Sequence, residues 1–87
     1  MSAALRVLYF AWVREKTGTR MEEITLPTTV KTARDLAAFL AARSAGHAAA
    51  FADLARLKIA IDQRHAALGD SVVGAQEIAW FPPVTGG

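Results

Sequence analysis

Apolar residues along this chain fall into two spacings, and the switches between them lay out the domain. From Leu5 to Phe10 (LRVLYF) only Arg6 marks a clearly wet face. Such a run reads as a strand covered on both sides, hence central in its sheet. Ala11 to Lys16 makes a short helical turn that Thr17-Gly18 ends. Met21, Ile24 and Leu26 mark a second strand over Arg20 to Leu26, giving a hairpin-like start. After a break at Pro27-Thr28-Thr29 the spacing becomes helical: Ala33, Leu36, Ala37, Leu40 and Ala41 share a face, with Phe39 beside it. Thr32-Ala33-Arg34-Asp35 has the form of a capping box, whose hydroxyl and carboxylate satisfy free backbone N–H groups. Gly46 supplies the stop, and the alanine-rich stretch from Ala48 to Leu54 forms a short second helix. Leu57 to Ile61 is a third strand, followed by a polar turn at Asp62-Gln63-Arg64 and a brief strand over His65-Ala66-Ala67. Turns at Leu68-Gly69-Asp70 and Gly74-Ala75-Gln76 lead to a last strand, Glu77 to Phe81, with Ile78 and Trp80 on one side.

No element in this order can bury its apolar side alone, so the fold class is α+β: a mixed sheet of about five strands with one main helix across one face. The domain covers residues 1–81, and residues 82–87 form an extended tail ending in Gly-Gly. With 87 residues the chain is one small domain. Folding at this size buries roughly 60–65% of the unfolded chain's surface, too little to enclose a deep private cleft. A domain that acts at its surface, with partners, is the expectation.

Hydrophobic residues at 53% and charged residues at 21% exclude a disordered tail and a membrane protein. Cysteine is absent, which removes disulfides, thiolate zinc sites and a cysteine nucleophile. The net charge of +2 comes from scattered basic residues without aromatic interleaving, so nucleic acid is not an expected partner. The N-terminal run lacks the features of a signal peptide, no segment has transmembrane length, and a cytoplasmic location is expected.

The end of the chain carries the chemistry. Pro82 and Pro83 stop the last strand, since neither can donate a ladder hydrogen bond, and they favour a stiff extended path. Residues 82–87 span roughly 20 Å when extended. Gly86-Gly87 has no side chains, so this tip passes a narrow channel and leaves its final carboxyl carbon open to attack. A carboxylate is a poor electrophile. Once adenylated by a partner it has AMP as leaving group, and a sulfur nucleophile then leaves a thiocarboxylate, a portable form of sulfide.

The ending FPPVTGG, the start VLYFAWVRE followed by Thr17-Gly18, and the middle IAIDQ resemble the small subunits of molybdopterin synthase over nearly the whole chain. The resemblance implies a ubiquitin-like β-grasp fold and a non-catalytic sulfur-carrier role in molybdenum cofactor biosynthesis. An activating enzyme using MgATP would adenylate Gly87, and a sulfurtransferase or cysteine desulfurase would deliver sulfur. The thiocarboxylate would then convert cyclic pyranopterin monophosphate to molybdopterin in the large subunit, within a heterotetramer of two small and two large subunits. By the same resemblance Val84, Thr85 and Gly86 line the partner's channel. Phe10, Phe81, Pro82, Pro83 and His65 form the partner interface, with His65 at a position that is often aliphatic. Asp62 stands where Asn is common. Two other readings share this architecture: a sulfur carrier for thiamine or cysteine synthesis, and a ubiquitin-like modifier conjugated through Gly87.

The remaining chemistry-bearing residues read as structural. Tyr9 and Trp80 are core positions. Trp12 falls in a loop-like segment, partly exposed over the sheet edge. His47 and His65 stand without a paired carboxylate or a third ligand at metal spacing and read as surface or half-buried histidines, with no metal site. Arg14-Glu15 reads as a solvated pair or a local hydrogen bond to the loop, while the family resemblance implies an interface salt bridge as the alternative, and Glu22-Glu23 reads as solvent-facing charge.

Overall fold

The computed structural model describes residues 4–83. Strand β1 (Leu5–Tyr9) buries Leu5, Val7 and Tyr9 on one face and turns Arg6 and Leu8 to the other. Helix α1 (Ala11–Thr17) ends at Gly18, whose φ of 80° lets its N–H return to the Arg14 carbonyl at 2.9 Å. Strand β2 (Met21–Ile24) then pairs antiparallel with β1. The first two strands therefore pair as read from the sequence, across the short helical connection read over Ala11 to Lys16. Trp12 lies on that helix, not in a loop, half-buried with the Arg56 guanidinium 5.2 Å from its ring centroid.

Helix α2 (Ala33–Ala41) carries the complete capping box: Thr32 Oγ1 accepts from the Asp35 N–H at 3.2 Å, and Asp35 Oδ2 accepts from the Thr32 N–H at 3.2 Å. Its buried side chains are Ala33, Leu36, Ala37 and Leu40. Gly46 is not its stop. The helix ends at Ala41, and a new one, α3 (Ala45–Ala50), opens on Ser44, whose hydroxyl accepts the His47 N–H at 3.0 Å. Gly46 lies inside α3 because a Cβ there would collide with the Lys16 carbonyl oxygen at the end of α1. The second helix thus starts and ends earlier than the alanine run suggested, and a 3-10 turn over Leu54–Arg56, capped by Asp53, follows it.

Strands β3 (Lys58–Ile61) and β4 (Arg64–Ala66) form a hairpin across Asp62 and Gln63, both at positive φ (49° and 68°) as a two-residue turn of this hand requires. Arg64 therefore opens the strand instead of belonging to the turn. Asp62 Oδ1 accepts from the N–H groups of Gln76 and Glu77 at 2.9 and 3.0 Å, tying the hairpin to the start of β5 (Glu77–Phe81). The sheet order is β2-β1-β5-β3-β4, with β1 and β5 parallel and the other neighbours antiparallel. β1 is interior, as its two-sided apolar pattern required, although β5 holds the centre.

One face of the sheet packs with α2 into a single core whose fully buried members include Tyr9, Trp80, Leu36, Leu40 and Ile78. Phe51, just past α3, meets Trp80 edge-to-face at 5.0 Å and Tyr9 at 6.2 Å, geometries that aromatic quadrupoles favour.

Candidate functional site

Strand alternation sends every second residue away from the core, and the register lines these residues up across the sheet. Met21 faces Leu8, Leu8 faces Ala79, Ala79 faces Ala60, and Ala60 faces His65. The result is a mostly apolar row spanning all the strands on the face that α2 does not cover. On one side of it Arg6 stands between Glu23 and Glu77 in register and forms an ion pair with Glu77 at 3.3 Å. On the other side lies the end of the sheet where β5 passes into Pro82 and Pro83.

The residues singled out in the sequence gather at this end. Phe10 and Phe81 directly follow the in-register pair Tyr9–Trp80, and the Phe10 N–H donates to the Trp80 carbonyl at 3.1 Å. Phe10 is 48% exposed, large for an aromatic ring at a strand end. Phe81 is half-buried, and the exposed His65 sets its ring 5.8 Å away at 76°. Pro82 is half-buried and Pro83 exposed. Val84, Thr85, Gly86 and Gly87 lie outside the described residues. Beside Phe10 a groove of about 510 Å³ is lined by Leu8, Phe10, Ala11, Met21, Arg14 and Arg20. Among the described residues no three metal-binding side chains converge. An apolar floor next to a proline-stiffened strand end is suited to seat another protein, not to enclose a small substrate.

A second cluster lies behind this surface, and the sequence did not disclose it. Glu22 is not a solvent-facing charge, and His47 does not lack a carboxylate. The two meet at 2.6 Å between Nε2 and Oε2, with side-chain exposures of 7% for His47 and 16% for Glu22. The Tyr9 hydroxyl donates to the same Oε2 at 2.8 Å, and Arg43 donates to Oε1 through Nε and a terminal nitrogen at 3.2 and 3.0 Å. Ser44 Oγ lies 2.7 Å from His47 Nδ1. Burial pushes the Glu22 carboxyl up, but the hydrogen bonds from His47 and Tyr9 and the nearby His47 and Arg43 charges hold it below the ordinary range. Burial, then the Glu22 hydrogen bond and charge, push the Tyr9 phenol up, so it remains a donor. The order Ser44, His47, Glu22 imitates a nucleophile–base–acid chain. Yet the Ser44 oxygen is engaged as a helix cap, and the carboxylate is shared with Tyr9 and Arg43. The cluster is a structural clamp joining β1, β2 and α3. Its only sequence signal was a Ser-x-x-His spacing at a helix start.

A five-stranded mixed sheet, a capped helix across one face and an apolar opposite face beside Pro82 and Pro83 define a ubiquitin-like β-grasp protein. The chain belongs to the ThiS family, whose model matches residues 7–87. It is 36% identical over 83 residues to the molybdopterin synthase sulfur carrier subunit of Escherichia coli (strain K12), covering 95% of this chain and 99% of that protein. The protein of the same name from Haemophilus influenzae is 39% identical over 83 residues, with the same coverage. Among solved structures, SAMP1 from Haloferax volcanii superposes with a TM-score of 0.69 at 23% identity, covering 98% of this chain and 100% of that one.

Proposed function

We propose that this protein is the sulfur-carrier small subunit of molybdopterin synthase. The observation that carries the proposal is its likeness, over 95% of its length, to proteins of that name. The Gly87 carboxylate attacks MgATP held by an activating enzyme, releasing pyrophosphate and forming an acyl-adenylate. Sulfur carried as a persulfide on a sulfurtransferase or cysteine desulfurase displaces AMP as the persulfide anion, and a thiol then reduces the resulting acyl disulfide, breaking its S–S bond and leaving a thiocarboxylate. That thiocarboxylate enters the large subunit and donates sulfur to cyclic pyranopterin monophosphate on the way to molybdopterin, in an assembly of two small and two large subunits in the cytoplasm. The globular body supplies no acid, base or nucleophile to these steps. Its part is to present Phe10, Phe81 and His65 beside Pro82, so that docking of the body aims residues 84–87 into the partner's channel.

Intact mass spectrometry tests the chemistry. Incubation with the cognate activating enzyme, MgATP and a sulfur donor should replace one oxygen by one sulfur at Gly87. An unchanged mass with an active enzyme would reject the sulfur-carrier reading, whereas Gly87-dependent ladders on other proteins would replace it with that of a protein modifier.

A further inference from the structure

The chain has three lysines, Lys16, Lys31 and Lys58, and the fold sets one of them apart. Lys58 opens β3 directly opposite Phe81, the last residue of β5. Its neighbour Ile59 is buried and paired with Trp80, so alternation turns Lys58 and Phe81 to the face that α2 leaves open. Lys58 is exposed and takes part in no ion pair among the described residues. Paired strands lie about 4.8 Å apart, so its backbone stands one strand spacing from the residue after which the tail begins.

The other two lysines are placed differently. Lys31 precedes α2, and its carbonyl accepts from the Val72 N–H, near the turn that leads into the start of β5. To meet it the tail would have to run back along all of β5, roughly 13–17 Å. Lys16 stands in the last turn of α1, whose Val13 joins the core on the helical side of the sheet. Pro82 and Pro83 carry the chain roughly 6 Å off the strand, and the four residues after them reach roughly 13 Å, enough to return to Lys58. Gly86-Gly87 can turn in either hand. Closing so short a loop costs little chain entropy, and the tether gives the amine an effective concentration on the order of mM.

We propose that Lys58 is an internal acceptor for the activated Gly87 carboxyl, closing the tail onto the body as an isopeptide when sulfur is withheld. The Lys58 amine, having released a proton to solvent, attacks the Gly87 carbonyl of the acyl-adenylate. A C–N bond forms, the bond to the AMP oxygen breaks, AMP leaves with the electron pair, and the nitrogen sheds its second proton. The chain loses one water overall, driven by the ATP already spent. The product has no terminal carboxylate left to carry sulfur, so Lys58 and the sulfur donor compete for one acyl group, and the cyclised chain is withdrawn from sulfur transfer. This rests on the proposed adenylation of Gly87, and the experiment separates the two.

The full chain is incubated with its cognate activating enzyme and MgATP, with and without a sulfur donor. Pyrophosphate release, intact mass and tryptic fragment sequencing are followed. Without the donor the chain should become lighter by one water, with Lys58 joined to Gly87, and should remain a single chain on a denaturing gel. Lys58→Arg keeps the charge at an exposed position and should lose this product while melting with wild type. Lys16→Arg and Lys31→Arg should keep it. Adding the donor should lower the cyclised share as the sulfur-bearing form rises. Pyrophosphate release with an unchanged mass would overturn the inference and leave adenylation intact. So would a one-water loss that survives in Lys58→Arg, or conjugates that join two chains. Cyclisation at Lys58 without sulfur uptake from the donor would uphold the inference and reject the carrier reading. Absence of pyrophosphate release from wild type would reject adenylation and the inference with it.

Discussion

Glu22 and His47 are 25 positions apart in the chain and 2.6 Å apart in the fold. Their contact makes one carboxylate the junction of β1, β2 and α3, because Tyr9 and Arg43 donate to it as well. A nearly buried carboxylate held below its ordinary pKa ties stability to pH with a definite sign. The unfolded chain binds Glu22's proton near pH 4.3, the folded one only at lower pH. The contribution is therefore complete above the unfolded value and is lost as pH falls through the folded one. Urea denaturation of wild type and Glu22→Gln should differ by about 1.5–3 kcal/mol at neutral pH, the range for hydrogen bonds to a charged group. The difference should close in acid, and a gap that persists unchanged would mean the charge is not what stabilises the junction.

Tyr9 gives the alkaline counterpart. It is the chain's one tyrosine, so ultraviolet titration of phenolate reads it without interference. Burial and the Glu22 carboxylate raise its folded pKa, while the unfolded chain ionises near pH 10. Stability from the neutral phenol is complete below that value and declines as pH rises beyond it. Native protein should show no phenolate until it unfolds, with absorbance and circular dichroism changing together. A phenolate signal that precedes unfolding would contradict the buried Tyr9–Glu22 bond.

The contrast between this clamp and the rest of the fold shows what the sequence carries. β1, β5 and α2 were legible because their information is local: alternation, helical spacing and a capping box span a few residues. The convergence of Phe10 and Phe81 was legible only through family resemblance, since their neighbours come from different strands. Glu22 and His47 misled because burial of a charge depends on partners from other elements, here Tyr9, Arg43 and Ser44. Gly46 misled for the same reason: a glycine near a helix end normally serves as its stop, whereas this one answers to the Lys16 carbonyl of another helix.

The two glycines Gly46 and Gly69 should respond oppositely to alanine. At Gly46 the added Cβ meets backbone, which no rotamer change can clear, so α3 must move off α1. Gly46→Ala should cost about 1–3 kcal/mol, the range for overpacking. At Gly69 the same Cβ meets open space, and reduced freedom of the unfolded chain should leave Gly69→Ala neutral or up to about 1 kcal/mol more stable. Chemical denaturation of the pair checks the packing of α3 on α1, and equal effects would remove the close approach as the reason for Gly46.

Thr32 caps α2 and also bridges Ser71 in an isolated antiparallel pair. Thr32→Ala removes the hydroxyl that accepts from Asp35 and should destabilise by about 1 kcal/mol, whereas Thr32→Ser should keep most of that stability. A melting comparison decides the matter, since the bridge uses backbone groups that both variants retain.

Phe10 and Phe81 test whether the body is a docking surface. Phe10 is 48% exposed, so Phe10→Ala should change folding stability by no more than about 0.5 kcal/mol. If the ring anchors a partner, the same change should cost about 2 kcal/mol of binding, roughly a thirty-fold loss in affinity. Phe81 is half-buried against His65, so Phe81→Ala should lower both stability and affinity. His65→Leu should keep the affinity, because an aliphatic side chain still covers the Phe81 ring. Titration calorimetry with the large subunit, read beside melting curves, separates the two contributions. Full affinity in Phe10→Ala would move the interface away from the tail base. Residues 84–87 would then have to find the partner's channel without an anchor next to them, at the entropic cost of an unguided chain.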